Sequence, residues 1–458
     1  MDWNLVFVIG MFLFFIGGLF TGYPLAFVLG GTAVIFALLG EVVDYFGFFV
    51  DVNFRWMGNV VRRTYGNVMS NFGLVALPMF VFMGHMLDRS GIALTLLRAL
   101  QVALAAVPGG LAIAVTLIGI VLAASTGIIG ASVVLLTTLA LPTMLKERYQ
   151  KEISVGVIAA SGTLGILIPP SIMLIVMGDQ LNLSVGDLFL GALIPGLMLG
   201  GLYLFYTIGL SAMGPNLAPP MAPDRRAEMV AEGGNIWLLL LKALVPPVFL
   251  IFAVLGSIFF GIASPTEASG VGAMGATLLA VANRKLTLGT LKEVMTATGS
   301  TTAFIFAAFI GATAFAVVMR GLGGDDVIHG LLTGLPFDRY GILMVILAVI
   351  FVLGFFLDWV EIVLIILPLM APVIPTLGFD PIWFAVLAAV CLQTSFLTPP
   401  VGFALFYLKA VAPASITTLH IYRGIMVFVL LQLIGLTATV LWPELVLWLP
   451  EAAYKPGR

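Results

Sequence analysis

Two apolar stretches of the chain are each interrupted by a Pro-Pro pair, Pro169-Pro170 and Pro399-Pro400, with hydroxyl residues nearby. A proline inside a helix removes a backbone hydrogen bond, so carbonyl and N–H groups around it lose their helical partners. Freed carbonyls at the C-terminus of a half-helix suit a small cation, and freed N–H groups at an N-terminus suit an anion. The pattern therefore predicts two places where the backbone binds small ions.

Serine and threonine supply further oxygen atoms close to the two breaks. The residues concerned are Ser125, Thr126, Ser161, Thr163, Thr394, Ser395 and Thr398. Oxygen ligands of low charge suit Na⁺ better than a transition metal, which prefers histidine or cysteine. Single hydroxyl residues are common in membrane helices, where they satisfy backbone groups. Because the set is symmetric between the two breaks, we interpret it as a pair of ion sites.

Asp358 lies inside an apolar run, where an acidic side chain is costly and by default marks an ion or proton pathway. Glu361 follows one helical turn later and can share the same helix face. We predict that Asp358 binds an ion directly. The alternative is that Asp358 caps the second arm of a hairpin, and capping is compatible with binding a cation.

The composition requires that these residues lie in a membrane. The chain of 458 residues is 61% hydrophobic and 9% charged, and its mean hydropathy is +1.17. Apolar runs of about 20 residues predict membrane-spanning helices, whereas barrel strands would be short and alternating. The single cysteine, Cys391, excludes an intrachain disulfide and a cysteine-based metal cluster. No basic patch or stacking motif suggests a nucleic-acid partner.

Ten apolar runs are predicted to span the membrane, and two longer runs are predicted to be re-entrant hairpins. The spans are 5–22, 24–40, 73–87, 153–178, 188–212, 237–261, 266–282, 297–319, 382–408 and 422–445. The hairpins are 111–143 and 342–375, each with a small, polar or charged break near its middle. Each hairpin could instead be a pair of ordinary crossings joined by a tight turn.

The two halves of the chain repeat one order of elements, a hairpin with a polar tip and then a helix broken at Pro-Pro. Ser125 and Asp358 are 233 positions apart, and Pro169 and Pro399 are 230 apart. With a periplasmic N-terminus, 13 of the 20 basic residues fall on or near the cytoplasmic side, as the positive-inside rule favours. The two hairpins then open to opposite sides, which makes an inverted repeat suited to alternating access.

These patterns predict an all-α polytopic membrane protein of the elevator type, divided into five segments. The segments are scaffold helices and a loop at 1–72, the first repeat of the transport domain at 73–178, scaffold helices at 179–296 with a cytoplasmic linker at 214–235, the second repeat at 297–410, and a C-terminal helix at 411–458. Catalytic motifs are absent from the sequence, so the protein is not predicted to be an enzyme. Without a phosphate-binding loop, active transport must use an ion gradient.

Four polar motifs have simpler interpretations. Ser264-Pro265-Thr266-Glu267 predicts a helix start with a capping box. The other three are predicted to be an interface cluster at His85, Asp88 and Arg89, a residue at the mouth of the first broken helix at Asp179, and a solvated turn at Arg320, Asp325 and Asp326.

Several dispersed motifs, in the right order, resemble the large membrane subunit of tripartite ATP-independent periplasmic (TRAP) transporters. They are Phe82–Gly91, Gly162–Ser171, Ser264–Ala268 and Gly354–Asp358. The resemblance covers essentially the whole chain. It implies a sodium-driven elevator in the bacterial inner membrane that imports organic acids. It also implies two partners, a small membrane subunit of four helices and a soluble periplasmic binding protein that delivers the substrate.

The resemblance also implies which residues bind ions and substrate, with Na⁺ as the only metal and no organic cofactor. The first sodium site would comprise Ser125, Gly127, Gly162 and Thr163. The second would comprise Asp358, Thr394 and Thr398. The substrate would lie between the hairpin tips, and the residues assigned to it are Thr126, Pro169, Pro170, Ser171, Ser395, Pro399 and Pro400.

The sequence departs from the family pattern at both hairpin tips. Trp359-Val360-Glu361 replaces the small residues that usually follow the hairpin aspartate, and Ser125-Thr126-Gly127 differs from the commoner Ser-Gly-Ser. The stretch from Asp358 to Glu361 resembles a branch linked to 2-oxo acids, lactate or other hydrophobic carboxylates. The alternative function is a self-sufficient sodium–carboxylate symporter. An intramembrane enzyme would need paired catalytic groups, and a passive channel would not need two symmetric tips.

Overall fold

The computed structural model describes residues 3–47, 50–127, 129–214, 216–227 and 236–454, and at 123–126 and 454 it describes the backbone alone. Every regular element in these ranges is a helix, which confirms the predicted all-α class. Seven of the described helices are long and apolar enough to cross a membrane. The chain is therefore a multi-pass membrane protein, as its composition predicts.

The helices outside the hairpins and broken helices agree with the predicted spans and add shorter elements. They include Trp3–Leu19, Leu25–Tyr45, Met57–Arg63, Ala76–Arg89, Ile92–Leu104, Val185–Met213, Ile236–Phe259, Pro265–Ala282, Leu288–Gly321, Gly324–Thr333, Thr418–Leu441 and Glu444–Tyr454. Each predicted unbroken span coincides with one of them. The sequence does not predict four of these helices, which are Met57–Arg63, Ile92–Leu104, Gly324–Thr333 and Glu444–Tyr454.

Both predicted hairpins consist of two helices joined by a short connection. The first hairpin comprises Gly110–Thr126 and Ile129–Lys146, and the two helices contact each other. The second comprises Arg339–Leu353 and Trp359–Met370, followed by the short helix Val373–Thr376. Its second arm contains a π-helical turn at 362–366. These bounds extend the predicted hairpins by one to three residues at each end.

Both broken helices are divided where the Pro-Pro pairs predict. The first comprises Lys151–Thr163 and Ile172–Leu181, and the second comprises Pro381–Leu397 and Phe403–Val411. Each half is too short to cross a hydrocarbon core of about 30 Å alone, since a helix rises about 1.5 Å per residue. The two halves must therefore act as one span with an interruption inside it.

The predicted capping box at the start of Pro265–Ala282 is present. The hydroxyl of Ser264 accepts the backbone N–H of Glu267 at 3.3 Å, and the carboxylate of Glu267 accepts the backbone N–H of Ser264 at 2.8 Å. This reciprocal pair satisfies two N–H groups that a helix start otherwise leaves without partners. The structural interpretation of this motif is therefore confirmed.

Loops predicted to share a side of the membrane lie together. On the predicted cytoplasmic side, the carbonyl of Leu217 accepts the N–H of Gln150, and the carbonyl of Ala218 accepts the N–H of Gly109. The linker thus contacts the base of the first hairpin. On the predicted periplasmic side, the amide of Asn71 donates to the carboxylate of Asp179. Residues 215 and 228–235 of the predicted linker lie outside the described residues.

Tyr149 connects the end of the first hairpin to its beginning. Its hydroxyl accepts the backbone N–H of Leu111 at 3.1 Å, which is one of the N–H groups left free at the helix start. Burial raises the pKa of Tyr149 to about 12, with a smaller contribution in the same direction from Glu147 and an opposing one from the Leu111 hydrogen bond. The phenol therefore stays protonated at neutral pH, and its hydrogen bond with Leu111 at the base of the hairpin does not depend on ordinary changes of pH.

One group of helices packs around Ala76–Arg89. Pro265–Ala282 and Leu288–Gly321 both lie against it, and Leu288–Gly321 also packs along Leu25–Tyr45. Many small residues occur in these helices, and they allow the backbones to approach closely. Close packing matters here because the hydrophobic effect does not drive helices together in lipid. This group contains the predicted scaffold at 1–72 together with flanking parts of both repeats.

A second group of helices surrounds the hairpins and the broken helices. Thr418–Leu441 packs along Lys151–Thr163, and Val185–Met213 contacts both the first hairpin and Pro381–Leu397. The predicted division into static and moving segments concerns motion, so it stays a prediction. The packing nevertheless identifies which helices hold the two breaks in place.

Candidate ion and substrate site

The first break lies in a fully buried part of the chain. Lys151–Thr163 ends in a 3₁₀ turn at Leu164–Ile166, a cis Pro169–Pro170 bond follows, and the second half begins at Ile172. The hydroxyl of Ser171 donates to the carbonyl of Ile166 at 2.6 Å, and so satisfies a carbonyl near the break. Burial in protein and a partner for the freed carbonyl are the conditions under which non-helical backbone is tolerated at membrane depth.

The second break is held by threonine hydroxyls. Pro381–Leu397 ends with Thr398 as its C-cap, and a cis Pro399–Pro400 bond follows. The hydroxyl of Thr398 donates to the carbonyl of Thr394 at 2.6 Å, and that of Thr394 donates to the carbonyl of Val390 at 2.9 Å. Both hydroxyls donate their proton to a backbone carbonyl, so each can bind a further group only through the lone pairs of its oxygen.

The first hairpin packs directly on the first broken helix. Gly127, at the hairpin tip, has a positive φ of 60°, and a Cβ at this position would lie 3.1 Å from the backbone nitrogen of Ile172. A Cβ on Gly162 would lie 2.5 Å from the side chain of Val133, which lies in the second arm of the first hairpin. Only glycine permits either approach without displacement. The structure therefore brings Gly127 and Gly162 to the break, as their assignment to one site requires.

The two remaining polar residues of the first tip are Ser125 and Thr126. They occupy the last turn of Gly110–Thr126, immediately before Gly127. Their side chains lie outside the described residues, so their predicted roles as ligands stay predictions. Thr163, assigned to the same sodium site, is fully buried, and its hydroxyl donates to the carbonyl of Ala160 at 2.8 Å.

The second hairpin packs on the second broken helix through its first arm. The hydroxyl of Ser395 donates to the carbonyl of Phe351 at 2.7 Å, and a Cβ on Gly354 would lie 2.5 Å from that hydroxyl oxygen. One helical turn earlier, the thiol of Cys391 contacts the carbonyl of Leu347 at 3.4 Å. Ser395, predicted to bind substrate, is thus directed towards the hairpin arm.

Asp358 caps the second arm of this hairpin. Its carboxylate accepts the backbone N–H of Trp359 at 2.8 Å, and its backbone is extended, as an N-cap requires. The capping alternative is therefore present in the structure. One carboxylate oxygen is used in this bond, and the carboxylate retains further acceptor capacity for a cation. The predicted ion role of Asp358 stays a prediction.

The two repeats contact each other in a reciprocal way. The second arm of the first hairpin, Ile129–Lys146, packs on Phe403–Val411, the distal half of the second broken helix. The second arm of the second hairpin packs on Ile172–Leu181, the distal half of the first broken helix. The proximal halves, Lys151–Thr163 and Pro381–Leu397, contact each other. Both breaks and both tips therefore belong to one continuous assembly.

Sequence reasoning missed Tyr407, which lies between the two hairpins. Its ring packs on Gly130, next to the first hairpin tip, where a Cβ would lie 2.9 Å from the ring. Its hydroxyl is also close enough to Asp358 and Glu361 for their charges to act on it. One carboxylate oxygen of Glu361 is buried without a hydrogen-bond partner in the described part of the chain. An aromatic residue in an apolar run gives no signal of such a position.

A second missed feature is a buried polar group beside the breaks. The hydroxyl of Tyr203 lies near the side chains of Gln393, Gln432 and Thr163, and each of these four residues belongs to a different helix. The two amides and the phenol are almost completely buried. Gln393 belongs to the motif around the second break, but its partners are distant in sequence. Only the fold brings these groups together.

The other predicted polar motifs lie away from the breaks. Arg89 pairs with Glu293 at 2.9 Å in a largely exposed pair, and Arg320 pairs with Asp325 at 3.3 Å in a partly exposed one. In the ranges that the structure describes, no group of three or more His, Cys, Asp or Glu residues could hold a metal ion. The oxygen atoms available at the breaks are those of hydroxyls, carbonyls and carboxylates, which suit hard cations better than the transition metals that prefer histidine or cysteine.

Interrupted helices held by two hairpins define the fold and site of a secondary transporter. The fold is similar to that of the YdaH transporter from Alcanivorax borkumensis, with a TM-score of 0.60. The two chains are 14% identical, and the alignment covers 84% of this chain and 87% of the other. At this identity the likeness concerns the fold alone.

Residues 12–445 match the family described as "Tripartite ATP-independent periplasmic transporter, DctM component". The chain belongs to this family, which confirms the resemblance found in the sequence. It is a transporter permease of the bacterial inner membrane and is not an enzyme.

Three named relatives are TRAP transporter permease proteins. The chain is 30% identical to the C4-dicarboxylate TRAP transporter large permease protein DctM of Pseudomonas aeruginosa, over 74% of this chain and 78% of that one. It is 27% identical to the sialic acid TRAP transporter large permease protein SiaM of Vibrio cholerae, and the alignment covers 98% of this chain and 100% of that one. It is 30% identical to the isethionate TRAP transporter permease protein DctMQ of Oleidesulfovibrio alaskensis over 77% of this chain, and the match spans 54% of that relative.

Proposed function

We propose that this chain imports an organic acid across the inner membrane, driven by the Na⁺ gradient, as the transport subunit of a TRAP system. The observation that carries the proposal is the reciprocal packing of two hairpins on two broken helices. This arrangement gathers backbone ends, hydroxyls and the acidic side chains of Asp358 and Glu361 into a single assembly. An inverted repeat of this design supports alternating access.

The sodium ions would bind at the two contacts between a hairpin tip and a break. In the first repeat, the ligands would come from Ser125, Gly127, Gly162 and Thr163. Gly127 and Gly162 lie against the broken helix and the hairpin, which favours their backbone carbonyls as ligands. Neutral oxygens cannot neutralise a cation, so the carbonyl ends of the half-helices would supply the attraction.

In the second repeat, the ligands would be Asp358, Thr394 and Thr398. The carboxylate of Asp358 would supply charge, while the threonine hydroxyls would supply lone pairs because their protons are used on backbone carbonyls. Capping by Asp358 fixes the carboxylate at the hairpin tip. A bound cation would therefore link the tip to the break.

The substrate would bind between the two tips. Its carboxylate would be held by N–H groups at the starts of the distal half-helices, with the residues assigned above at Thr126, Pro169, Pro170, Ser171, Ser395, Pro399 and Pro400. N–H groups at a helix N-terminus attract anions without a basic side chain. The named relatives act on C4-dicarboxylates, sialic acid and isethionate, which are all anions. This range favours an organic anion and does not select one.

We infer two protein partners, a small four-helix membrane subunit and a periplasmic binding protein that delivers the substrate. Membership of the DctM component family supports this inference, since the family is named for a tripartite system. The hairpins and broken helices would move as a unit against a static scaffold that includes 1–72. Under this elevator mechanism, the bound ions and the substrate travel together with the tips.

Uptake into proteoliposomes tests the proposal. Liposomes would contain this chain and its small-subunit partner, with radiolabelled organic acids supplied with and without an inward Na⁺ gradient and with and without the binding protein. The proposal requires uptake that depends on both the gradient and the binding protein. Uptake without the binding protein would support a self-sufficient sodium–carboxylate symporter instead. Uptake independent of Na⁺ would contradict the proposed ion sites.

A further inference from the structure

A polar cavity of about 280 Å³ lies outside the assembly of tips and breaks. Four segments line it, namely the stretch 63–71, the end of the first broken helix at 179–182, Leu288–Gly321, and the second arm of the second hairpin. Most of its exposed lining is polar, which is unusual for a cavity in so apolar a chain. We call it the vestibule.

The vestibule lies on the side predicted to be periplasmic. The loop containing Arg63 and Asn71, the end of the first broken helix at Asp179, and Arg320 all belong to segments predicted on that side. Leu364 and Pro368 form its wall from the second hairpin, in the arm that Asp358 caps. The vestibule is thus bounded by the hairpin that would release or admit a substrate from the periplasm.

Three charged side chains line the vestibule, and two of them have described partners. The carboxylate of Asp179 accepts hydrogen bonds from Asn71 at 2.5 Å and from Gln180 at 2.9 Å. Arg320 pairs with Asp325 at 3.3 Å. Arg63 is half-buried, and it has no acidic partner in the part of the chain that the structure describes. Its guanidinium is therefore the cation available to a ligand.

We propose that the vestibule binds the carboxylate or sulfonate group of an organic anion before the anion reaches the hairpin tips, with Arg63 as the principal cation. This inference rests on the proposed function, since it supplies the periplasmic approach of the same substrate. A guanidinium presents several donors in a planar fork that matches a carboxylate. The amides of Asn67 and Asn182, which also line the vestibule, can donate to the remaining oxygens.

Electrostatic attraction in a polar cleft raises the local concentration of an oppositely charged ligand and falls with ionic strength. Arg63 would therefore act by capture and not by holding the anion during translocation. The capture site and the tip site would hold the substrate in succession. This predicts a measurable preference of the vestibule for anions even in protein that is not transporting.

The test uses single cysteines placed in the vestibule, at Ala316 in one variant and at Thr313 in another. The native Cys391 is almost completely buried, so it contributes little background labelling. Labelling rates would be compared for an anionic and a cationic methanethiosulfonate reagent. We expect the anionic reagent to react about threefold or more faster, relative to a water-exposed cysteine, because the guanidinium of Arg63 attracts it. The ratio should fall at high salt.

Substitutions at neighbouring arginines give the matched comparison. Arg63→Gln should abolish the preference for the anionic reagent at both cysteine positions, whereas Arg63→Lys should retain most of it. Arg62→Gln removes the same charge one residue away, where the side chain is bonded to Asn59 at 3.1 Å and does not line the vestibule. Arg62→Gln should leave the ratio unchanged. The proposal would be overturned if the two Gln substitutions changed the labelling ratio equally. It would also be overturned if the protein with both arginines intact showed no preference for the anionic reagent.

Protection by substrates tests ligand binding separately from charge. Succinate, N-acetylneuraminate and isethionate would be added during labelling, and at least one should slow labelling in the Arg63 protein and fail to do so in Arg63→Gln. Protection without any uptake in proteoliposomes would reject the proposed function but retain the vestibule. Uptake that is unaffected by Arg63→Gln, together with no protection, would reject the vestibule alone. If Arg63→Gln changes only the dependence on the binding protein, the vestibule is a protein contact and the proposal is wrong.

Discussion

The hydroxyl of Tyr422 donates a hydrogen bond to the carbonyl oxygen of Pro400 across 2.7 Å. Tyr422 belongs to Thr418–Leu441, a helix outside both repeats, so the second break depends on a partner that the repeat does not contain. Tyr422→Phe removes only the donor. The bond is exposed, so its loss should cost about the net contribution of an ordinary hydrogen bond, and the free energy of unfolding should fall by about 0.5–1.5 kcal/mol. Thermal unfolding in detergent measures the change.

Tyr206→Phe is the control for this substitution. Tyr206 is half-buried in Val185–Met213, and its hydroxyl has no hydrogen bond described in the structure. Loss of its hydroxyl should change the unfolding midpoint little. If the two substitutions destabilise equally, the bond to Pro400 does not support the break.

Asp358 combines a cap with the proposed binding of Na⁺, and two substitutions separate these roles. Asp358→Asn keeps an oxygen that can accept the N–H of Trp359 but removes the charge. It should therefore retain stability and lose sodium-dependent uptake. Asp358→Ala should lose uptake and also about 1 kcal/mol of stability, as for other caps. Uptake as a function of Na⁺ concentration and thermal unfolding measure the two effects.

The same hairpin provides a control for Asp358. Asp338 caps its first arm, where the carboxylate accepts the N–H of Gly341 at 2.9 Å, and it is not assigned to an ion site. Asp338→Asn should leave both stability and the Na⁺ dependence nearly unchanged. A similar loss of uptake in both Asn variants would show that a capping carboxylate, and not an ion ligand, is what transport requires.

The sequence predicts the hairpins and breaks well because proline and polar residues in apolar runs are local signals. The bounds of the first hairpin, 111–143, are recovered as Gly110–Lys146. Shorter helices are missed because their apolar runs are brief or carry charge. Ile92–Leu104 contains Arg98 and lies beside the first hairpin. Length, which identifies a span in sequence, gives no information about such an element.

The site is only partly accessible to sequence reasoning. The family resemblance implies that each hairpin tip meets the broken helix that follows it, and Gly127 does lie against Ile172. The cross-contact between repeats depends on how the two units are docked, which no local pattern encodes. Tyr407 and Tyr203 reach the site through this docking, and both look like ordinary apolar residues in sequence.

Gly162 is required for close packing as well as for the proposed ion site. Gly162→Ala would place a Cβ 2.5 Å from the side chain of Val133 and 3.1 Å from its Cα, so the hairpin arm must shift. We expect a loss of about 1–3 kcal/mol in stability, which is typical of overpacking. Gly201→Ala is the matched control, since a Cβ there meets nothing within 4 Å. Thermal unfolding of the two variants should differ clearly, and equal midpoints would contradict the tight contact.

The elevator mechanism predicts that a cross-link between scaffold and hairpin stops transport. Phe20, in the predicted scaffold, and Phe356, near the second hairpin tip, have ring centroids 5.8 Å apart. Cysteines at both positions, joined through disulfides by a short bis-methanethiosulfonate reagent, should abolish uptake until the cross-link is reduced. Tyr340 and Phe379 lie 5.3 Å apart within the second repeat, so the same cross-link between them should spare uptake. Continued uptake with Phe20 and Phe356 cross-linked would mean that these two segments move together, and the proposed boundary between scaffold and transport unit would be wrong.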